Sequence, residues 1–172
     1  NKDNPRHQVT ISSYRIGKYE VTNKEFFDFV KEKGTEGNGN VWLDGKRKRD
    51  ISRIYEENGS WKIEKGYENH PVVGVSWFGA VAYCEWLSKK TGKKYRLPTE
   101  AEWEFAARDG TNTDYAYSGG KDLNAVAWYS RNATDTYPVG LKECGKLGVH
   151  DMTGNVWEWC NDWYSKDYFE EQ

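Results

Sequence analysis

The chain has 172 residues, about one domain's worth, and its 25 basic and 27 acidic side chains leave a net charge of −2, which sets up no field to recruit nucleic acid or an anionic membrane. Mean hydropathy is −0.98 and no apolar run approaches the roughly 18 residues that span a bilayer, so direct membrane insertion is not expected. Aromatic residues reach 16% of the chain, with nine Trp and twelve Tyr, so aromatic rather than aliphatic side chains have to fill the core.

Gln8 to Ile16 alternates in part and carries β-branched residues, which predicts a strand, followed by a second short strand or a turn at Lys18 to Val21. Thr22 with Glu25 forms a capping box for a helix over Asn23 to Lys33, with Phe26, Phe29 and Val30 on its apolar stripe and Gly34 at its end. From Gly34 to Asn69 the chain turns polar and glycine-punctuated. The basic cluster Lys46, Arg47, Lys48 and Arg49 lacks a second basic stretch and reads as a solvated loop, while Val41, Trp42, Leu43, Trp61 and Ile63 are expected to tack this excursion onto the body.

Ser76 caps a second helix, where Phe78, Val81, Ala82, Trp86 and Leu87 recur at helical spacing before Gly92 ends it. Tyr95 to Leu97 predicts a brief strand and Pro98 an extended turn. Thr99 and Glu102 make another capping box, opening a helix over Ala101 to Arg108 that buries Trp103 and Phe105 or their neighbours. Beyond Gly110 the expectation is loop, with apolar islands at Val126 to Tyr129 and Tyr137 to Val139.

Candidate nucleophiles and metal ligands are sparse. Cys84, Cys144 and Cys160 form an odd set without CxxC spacing, which favours free thiols and leaves one pair plus one free thiol open. His7, His70 and His150 are too dispersed for a sequence-local metal motif, and His70, next to Pro71, reads as a turn or packing residue. HExxH, GxSxG and phosphate-cradling glycine loops are missing from the sequence. Glu100, Glu102 and Glu104 stand at a helix start, where the macrodipole favours acids irrespective of chemistry.

The dense stretch is Leu147 to Trp163, LGVHDMTGNVWEWCNDW. Read as an extended segment, it sends Trp157 and Trp159 to one side, while the carbonyls of Gly154 and Val156 and the carboxylate of Glu158 can converge with Asp151, folded back across the turn at Thr153 and Gly154. Four oxygens on one point suit a hard cation such as Ca²⁺. The other reading has Asp151 and Glu158 capping turns in solvent while the tryptophans pack. Exposed members of Trp157, Trp159, Trp163 and Tyr164 can stack on sugar rings or grip a partner; core packing is the alternative for the same rings.

Four blocks, Tyr19 to Phe29 (YEVTNKEFFDF), His70 to Trp86 (HPVVGVSWFGAVAYCEW), Tyr95 to Gly110 (YRLPTEAEWEFAARDG) and Leu147 to Tyr164, resemble in order the motifs of the formylglycine-generating-enzyme family, also called the sulfatase-modifying-factor family. The resemblance implies an α+β, C-type-lectin-like fold, loop-rich, with two main helices and short antiparallel strands over residues 1–172 as a single domain, incomplete at both termini. It also implies a calcium site on Asp151, Gly154, Val156 and Glu158. Members of this family that act as oxidases convert a cysteine of a client sulfatase to formylglycine with a copper-binding cysteine pair after the tryptophan-rich signature. Cys84, Cys144 and Cys160 match no such position and the chain stops eight residues past Tyr164, so no catalytic residue is assigned and copper is not expected in it. The expected role is therefore a non-catalytic module for a protein or carbohydrate ligand, with a bacterial, secreted or surface setting favoured by the resemblance. The alternative is the scaffold of a copper-dependent oxidase whose catalytic segment lies beyond Gln172.

Overall fold

The computed structural model describes residues 8–44, 52–110 and 116–163; the basic cluster at Lys46 to Arg49 and the ring of Tyr164 lie outside the described residues. Helix α1 (Asn23–Lys33) begins as its sequence dictates. The Thr22 hydroxyl accepts from the Glu25 N–H, the Glu25 carboxylate accepts from the Thr22 N–H, and Gly34 closes the helix at φ 79°. Asn23 is fully buried and fixes the helix start in space: its N–H donates to the His70 carbonyl and its side-chain amide to the Tyr67 and Pro71 carbonyls.

The excursion after α1 folds as two small antiparallel hairpins. Strands β1 (Glu36–Gly37) and β2 (Asn40–Val41) turn at Asn38-Gly39, and β3 (Ile54–Glu57) and β4 (Ser60–Ile63) turn at Asn58-Gly59. All four turn residues have positive φ, as a two-residue type I′ turn requires, which selects Asn-Gly. Leu43 and Ile54 are buried from this excursion, with Trp42, Trp61 and Ile63 packed partly against the same core, so it is tacked down as expected. Val41 is the exception and faces solvent.

Helix α2 (Trp77–Thr91) is capped by Ser76, whose hydroxyl accepts from the Gly79 N–H, and ends at Gly92 in the left-handed region. It lies on α1 through rings: Phe26 stacks on Tyr83 at 5.3 Å, Phe29 meets Trp86 at 5.7 Å, and the Trp86 indole N–H donates to Glu32 at 2.9 Å. The buried face of α2 is thus Gly79, Tyr83 and Trp86, and Phe78, placed by spacing on the apolar stripe, is exposed. Phe78 instead meets the Trp77 ring edge-on at the surface.

Helix α3 (Glu100–Ala107) carries the second capping box. Its Glu102 also takes both guanidinium nitrogens of Arg96 at 2.7 Å, and the Tyr14 hydroxyl donates to the Glu102 carbonyl. Glu102 and Ala106 are the buried positions of α3, whereas Trp103 is half-buried and Phe105 lies at the surface. A single turn, α4 (Leu123–Val126), interrupts the loops that follow.

Two expected strands do not form. Gln8 to Ile16 and Tyr95 to Leu97 join no ladder among the described residues. They are held by side-chain hydroxyls instead: the Tyr14 hydroxyl donates to the Glu102 carbonyl of α3, and the Tyr95 N–H donates to the Ser88 hydroxyl. The Lys18 to Val21 segment takes the turn alternative, with a bend at Lys18 and Tyr19.

Gly79 shows how closely the excursion and α2 approach. A Cβ there would run into the Trp42 carbonyl oxygen, which already accepts from the Ser76 N–H. Because the obstacle is backbone at a helix cap, Gly79→Ala should lower unfolding free energy by about 2–3 kcal/mol in a urea titration, despite alanine's better helix propensity.

Candidate functional site

The loops between residues 128 and 163 are positioned by buried polar groups rather than by a sheet. Asn155 is central. Its N–H donates to the Trp128 carbonyl at 2.9 Å, its side-chain oxygen accepts from the Tyr137 N–H at 3.0 Å, and its side-chain nitrogen donates to the Glu20 carboxylate at 2.7 Å. Trp128 and Tyr137 in turn stack at 3.9 Å, with the Lys142 ammonium 4.0 Å over the Trp128 ring.

Asp151 and Asn155 sit at φ 61° and 57°, in the left-handed region that Asp and Asn tolerate best among residues with a side chain, and Gly154 between them has φ 108°. A Cβ on Gly154 would meet the Trp128 carbonyl oxygen. These positive φ values break the extended alternation read from the sequence, and residues 153–156 are a string of bends. Trp157 and Trp159 consequently have different surroundings. Trp157 is fully exposed, whereas Trp159 is 51% exposed and its indole N–H donates to the Val75 carbonyl.

Trp163, 88% exposed, lies 6.4 Å from the Trp77 ring, which meets Phe78 edge-on at 5.5 Å. Trp77 is anchored through its indole N–H to the Cys160 carbonyl at 3.0 Å. Among the described residues, Trp157 and Trp163 are thus not packed into the core.

Behind this face lies a group of acids. Asp151 is 4% exposed; one of its oxygens accepts from the Gly140 N–H at 2.7 Å, and Oδ1 is buried without a hydrogen-bond partner. Glu20, 8% exposed, sits beside it on the segment that leads into α1, and its Oε1 is likewise buried and unpartnered. Burial first, then the charges of Asp151 and Glu158, push the Glu20 carboxyl up to about 8 against the pull of its bonds from Asn155 and the Val156 N–H. Burial also raises Asp151. Glu158 keeps part of its surface in solvent, yet the protein crowding its carboxyl and the charge of Asp151 raise it too.

Asp151 and Glu158, two of the four expected calcium ligands, therefore lie close enough to repel each other, and the orphaned Asp151 oxygen is the kind of acceptor a hard cation satisfies. Among the described residues no three His, Cys, Asp or Glu side chains converge into a ready-made cage. The expected set draws only two side chains and takes its other oxygens from the Gly154 and Val156 backbone. Glu20, which joins these acids only in space, lies 135 residues before Asn155, and no local spacing reveals it.

The remaining candidates are structural. His70 bonds Thr136 at 3.0 Å and packs on Tyr67 at 4.5 Å, the packing role expected of it. The three cysteines are free and half-buried. Burial raises the Cys84 thiol and pushes Cys160 up to about 11, with Glu100, Asp162 and Glu158 adding to the rise, which keeps both protonated and poorly nucleophilic at neutral pH.

Two packed helices, short hairpins and a long loop cluster with a tryptophan edge define an α+β, C-type-lectin-like domain of the formylglycine-generating-enzyme type. The chain belongs to the sulfatase-modifying factor family: the sulfatase-modifying factor enzyme 1-like domain matches residues 1–172. It is 38% identical over 168 residues to the serine/threonine-protein kinase Pkn1 of Chlamydia caviae, covering 98% of this chain and 26% of that protein. It is also 32% identical over 204 residues to the formylglycine-generating enzyme of Thermomonospora curvata, covering 96% of this chain and 65% of that protein. Among solved structures, PvdO from Pseudomonas aeruginosa superposes with a TM-score of 0.64 at 32% identity over 89% of this chain and 58% of PvdO. CarF gives 0.63 at 27% identity over 86% of this chain and 68% of CarF. The chain spans about a quarter of the chlamydial relative's length and about two thirds of the Thermomonospora enzyme's.

The raised Glu20 carboxyl has a definite sign for stability. Between the unfolded value near 4.5 and the folded value of about 8 the native state holds a proton that the unfolded state has lost, so stability is full below this window and is lost as pH rises through it. Melting followed in the presence of a chelator should show stability falling on the order of 3 kcal/mol between pH 5 and pH 8.5, and Glu20→Gln should flatten that slope.

Proposed function

We propose that this domain is a non-catalytic binding module whose contact face is formed by Trp157, Trp159 and Trp163, with Tyr164 added on sequence grounds, and whose loop is braced by calcium on Asp151, Gly154, Val156 and Glu158. The observation that carries the reading is the exposure of the Trp157 and Trp163 rings on one short segment of a strongly hydrophilic chain. Large apolar rings left in water on a rigid frame mark a contact surface, and tryptophan is the residue most enriched where binding energy concentrates. Trp163 and Trp77 are tilted by 31° and adjoin Phe78, a contoured face that suits a protein surface better than the flat platform used for a sugar ring. The length ratios support an accessory role, since in the chlamydial kinase the matching region is a quarter of the protein. Calcium would neutralise the Asp151 and Glu158 carboxylates and hold the bends at residues 153–156.

A second reading, the scaffold part of a copper-dependent formylglycine-generating oxidase, is favoured by the match to the Thermomonospora enzyme across nearly the whole of this chain. One pair of assays separates the two. The double variant Trp157→Ala/Trp163→Ala should lose binding on a peptide array by about tenfold or more while its melting temperature stays within about 1 °C of wild type, because neither ring is buried. Binding that survives the double variant, or copper in the natively produced protein together with its conversion of a cysteine-containing sulfatase peptide, overturns the module reading; loss confined to a glycan array changes its ligand from protein to carbohydrate.

The calcium part is tested on its own. Glu158→Ala should lower the melting temperature in millimolar calcium by several degrees and leave it unchanged in chelator. An equal loss in both conditions removes the support for the ion.

A further inference from the structure

We infer that Glu20 is a fifth residue of the calcium site, a positioning residue that supplies charge behind the ligands and ties the segment leading into α1 to the loop at 151–158. This rests on the calcium reading and goes beyond it, since the four expected ligands all lie within eight residues of one another and Glu20 comes from the other end of the domain.

The observations are geometric. Glu20 is more than nine-tenths buried, one oxygen is held by the Asn155 amide and the Val156 N–H, and the other is buried without a partner. Asp151, buried to the same degree, presents an unpartnered oxygen of its own. Two buried acids with orphaned oxygens, crowded by a third at Glu158, cost free energy as carboxylates unless a proton or a cation joins them. Neither Glu20 nor Asp151 has an ion pair with lysine or arginine among the described residues. A dication fits that deficit. By holding Asn155 and Val156, Glu20 also fixes the backbone between two expected carbonyl ligands, the role that partners behind a metal's ligands commonly play.

A thermodynamic linkage follows. If calcium is held better when Glu20 is docked, calcium must dock Glu20 better, by the same factor. The segment's other ties are the Lys18 carbonyl accepting from the His150 N–H, the Val21 carbonyl from the Val72 N–H, the bridge of Thr22 with Pro71, and the Tyr19 ring 5.1 Å from that of His150. Calcium thus acts as a clamp between the entry to α1 and the tryptophan-bearing loop.

The test uses the whole chain and calcium alone, with Glu20→Gln as the main variant, since glutamine keeps an acceptor for Asn155 and Val156 and removes only the capacity to ionise when calcium binds. Calorimetric titration should show calcium affinity about tenfold weaker in Glu20→Gln than in wild type, and weaker still in Glu20→Ala. In hydrogen exchange, calcium should slow the amides of residues 18–22 in wild type and not in Glu20→Gln. A purely structural Glu20 would instead lower the chelator melting temperature of Glu20→Gln and leave its calcium affinity at the wild-type value, which overturns the proposal. Wild-type protein that binds no calcium overturns the calcium reading together with this one, whereas calcium binding by wild type and Glu20→Gln alike overturns this one alone.

Discussion

The part of the domain after α3 depends on one residue, Asn155. Its backbone N–H and its side-chain amide together hold three segments, at Trp128, Tyr137 and Glu20, where no ladder pairs them among the described residues. Loop backbone without a sheet needs side-chain partners for its buried polar groups, and a primary amide, with two donors and an acceptor, is suited to the task. The left-handed conformation at Asn155 lets its side chain and its own N–H point to different segments, and the glycine before it lets the Trp128 carbonyl come close.

The domain consequently has two regimes. The part built on α1, α2 and the hairpins is held by rings and buried aliphatics, with Phe26, Phe29, Tyr83 and Trp86 in mutual contact. The part beyond α3 is held by hydrogen bonds and a Lys142–Trp128–Tyr137 stack, and it encloses acids that repel one another. Apolar packing tolerates changes of salt and pH; the second regime responds to both, and the exposed tryptophans are mounted on it. A surface borne by a responsive substructure on a rigid frame suits recognition better than it suits a fixed core.

Legibility in the sequence followed the range of the interactions. Both capping boxes, at Thr22 with Glu25 and Thr99 with Glu102, were readable because their partners are three residues apart, and α1 has the boundaries its spacing predicts. The hairpins at Asn38-Gly39 and Asn58-Gly59 were equally local and went unread, although Asn-Gly between apolar flanks is a strong short-range hairpin signal. Gln8 to Ile16 shows the opposite error: β-branched alternation describes a surface that fits a sheet and says nothing about whether a partner strand is there. The site was half visible. Asp151, Gly154, Val156 and Glu158 stand together in the chain, but Glu20 and the Asn155 bonds that recruit it depend on three-dimensional proximity alone.

The contact between Glu20 and Asn155 also bears on how the chain is made. The hydrogen bonds within helix α1 and the hairpins join near neighbours in the chain, whereas the acceptor at Glu20 waits for an amide that is 135 residues away. At 5–20 residues per second that wait is on the order of ten seconds. During it the entry to α1 carries a bare carboxylate beside Tyr19 and Val21, both of which stay at the surface even in the finished fold. A negative charge next to unsheltered apolar groups discourages premature association with other nascent chains. The acid that is costly once enclosed is, for that interval, a solubilising group.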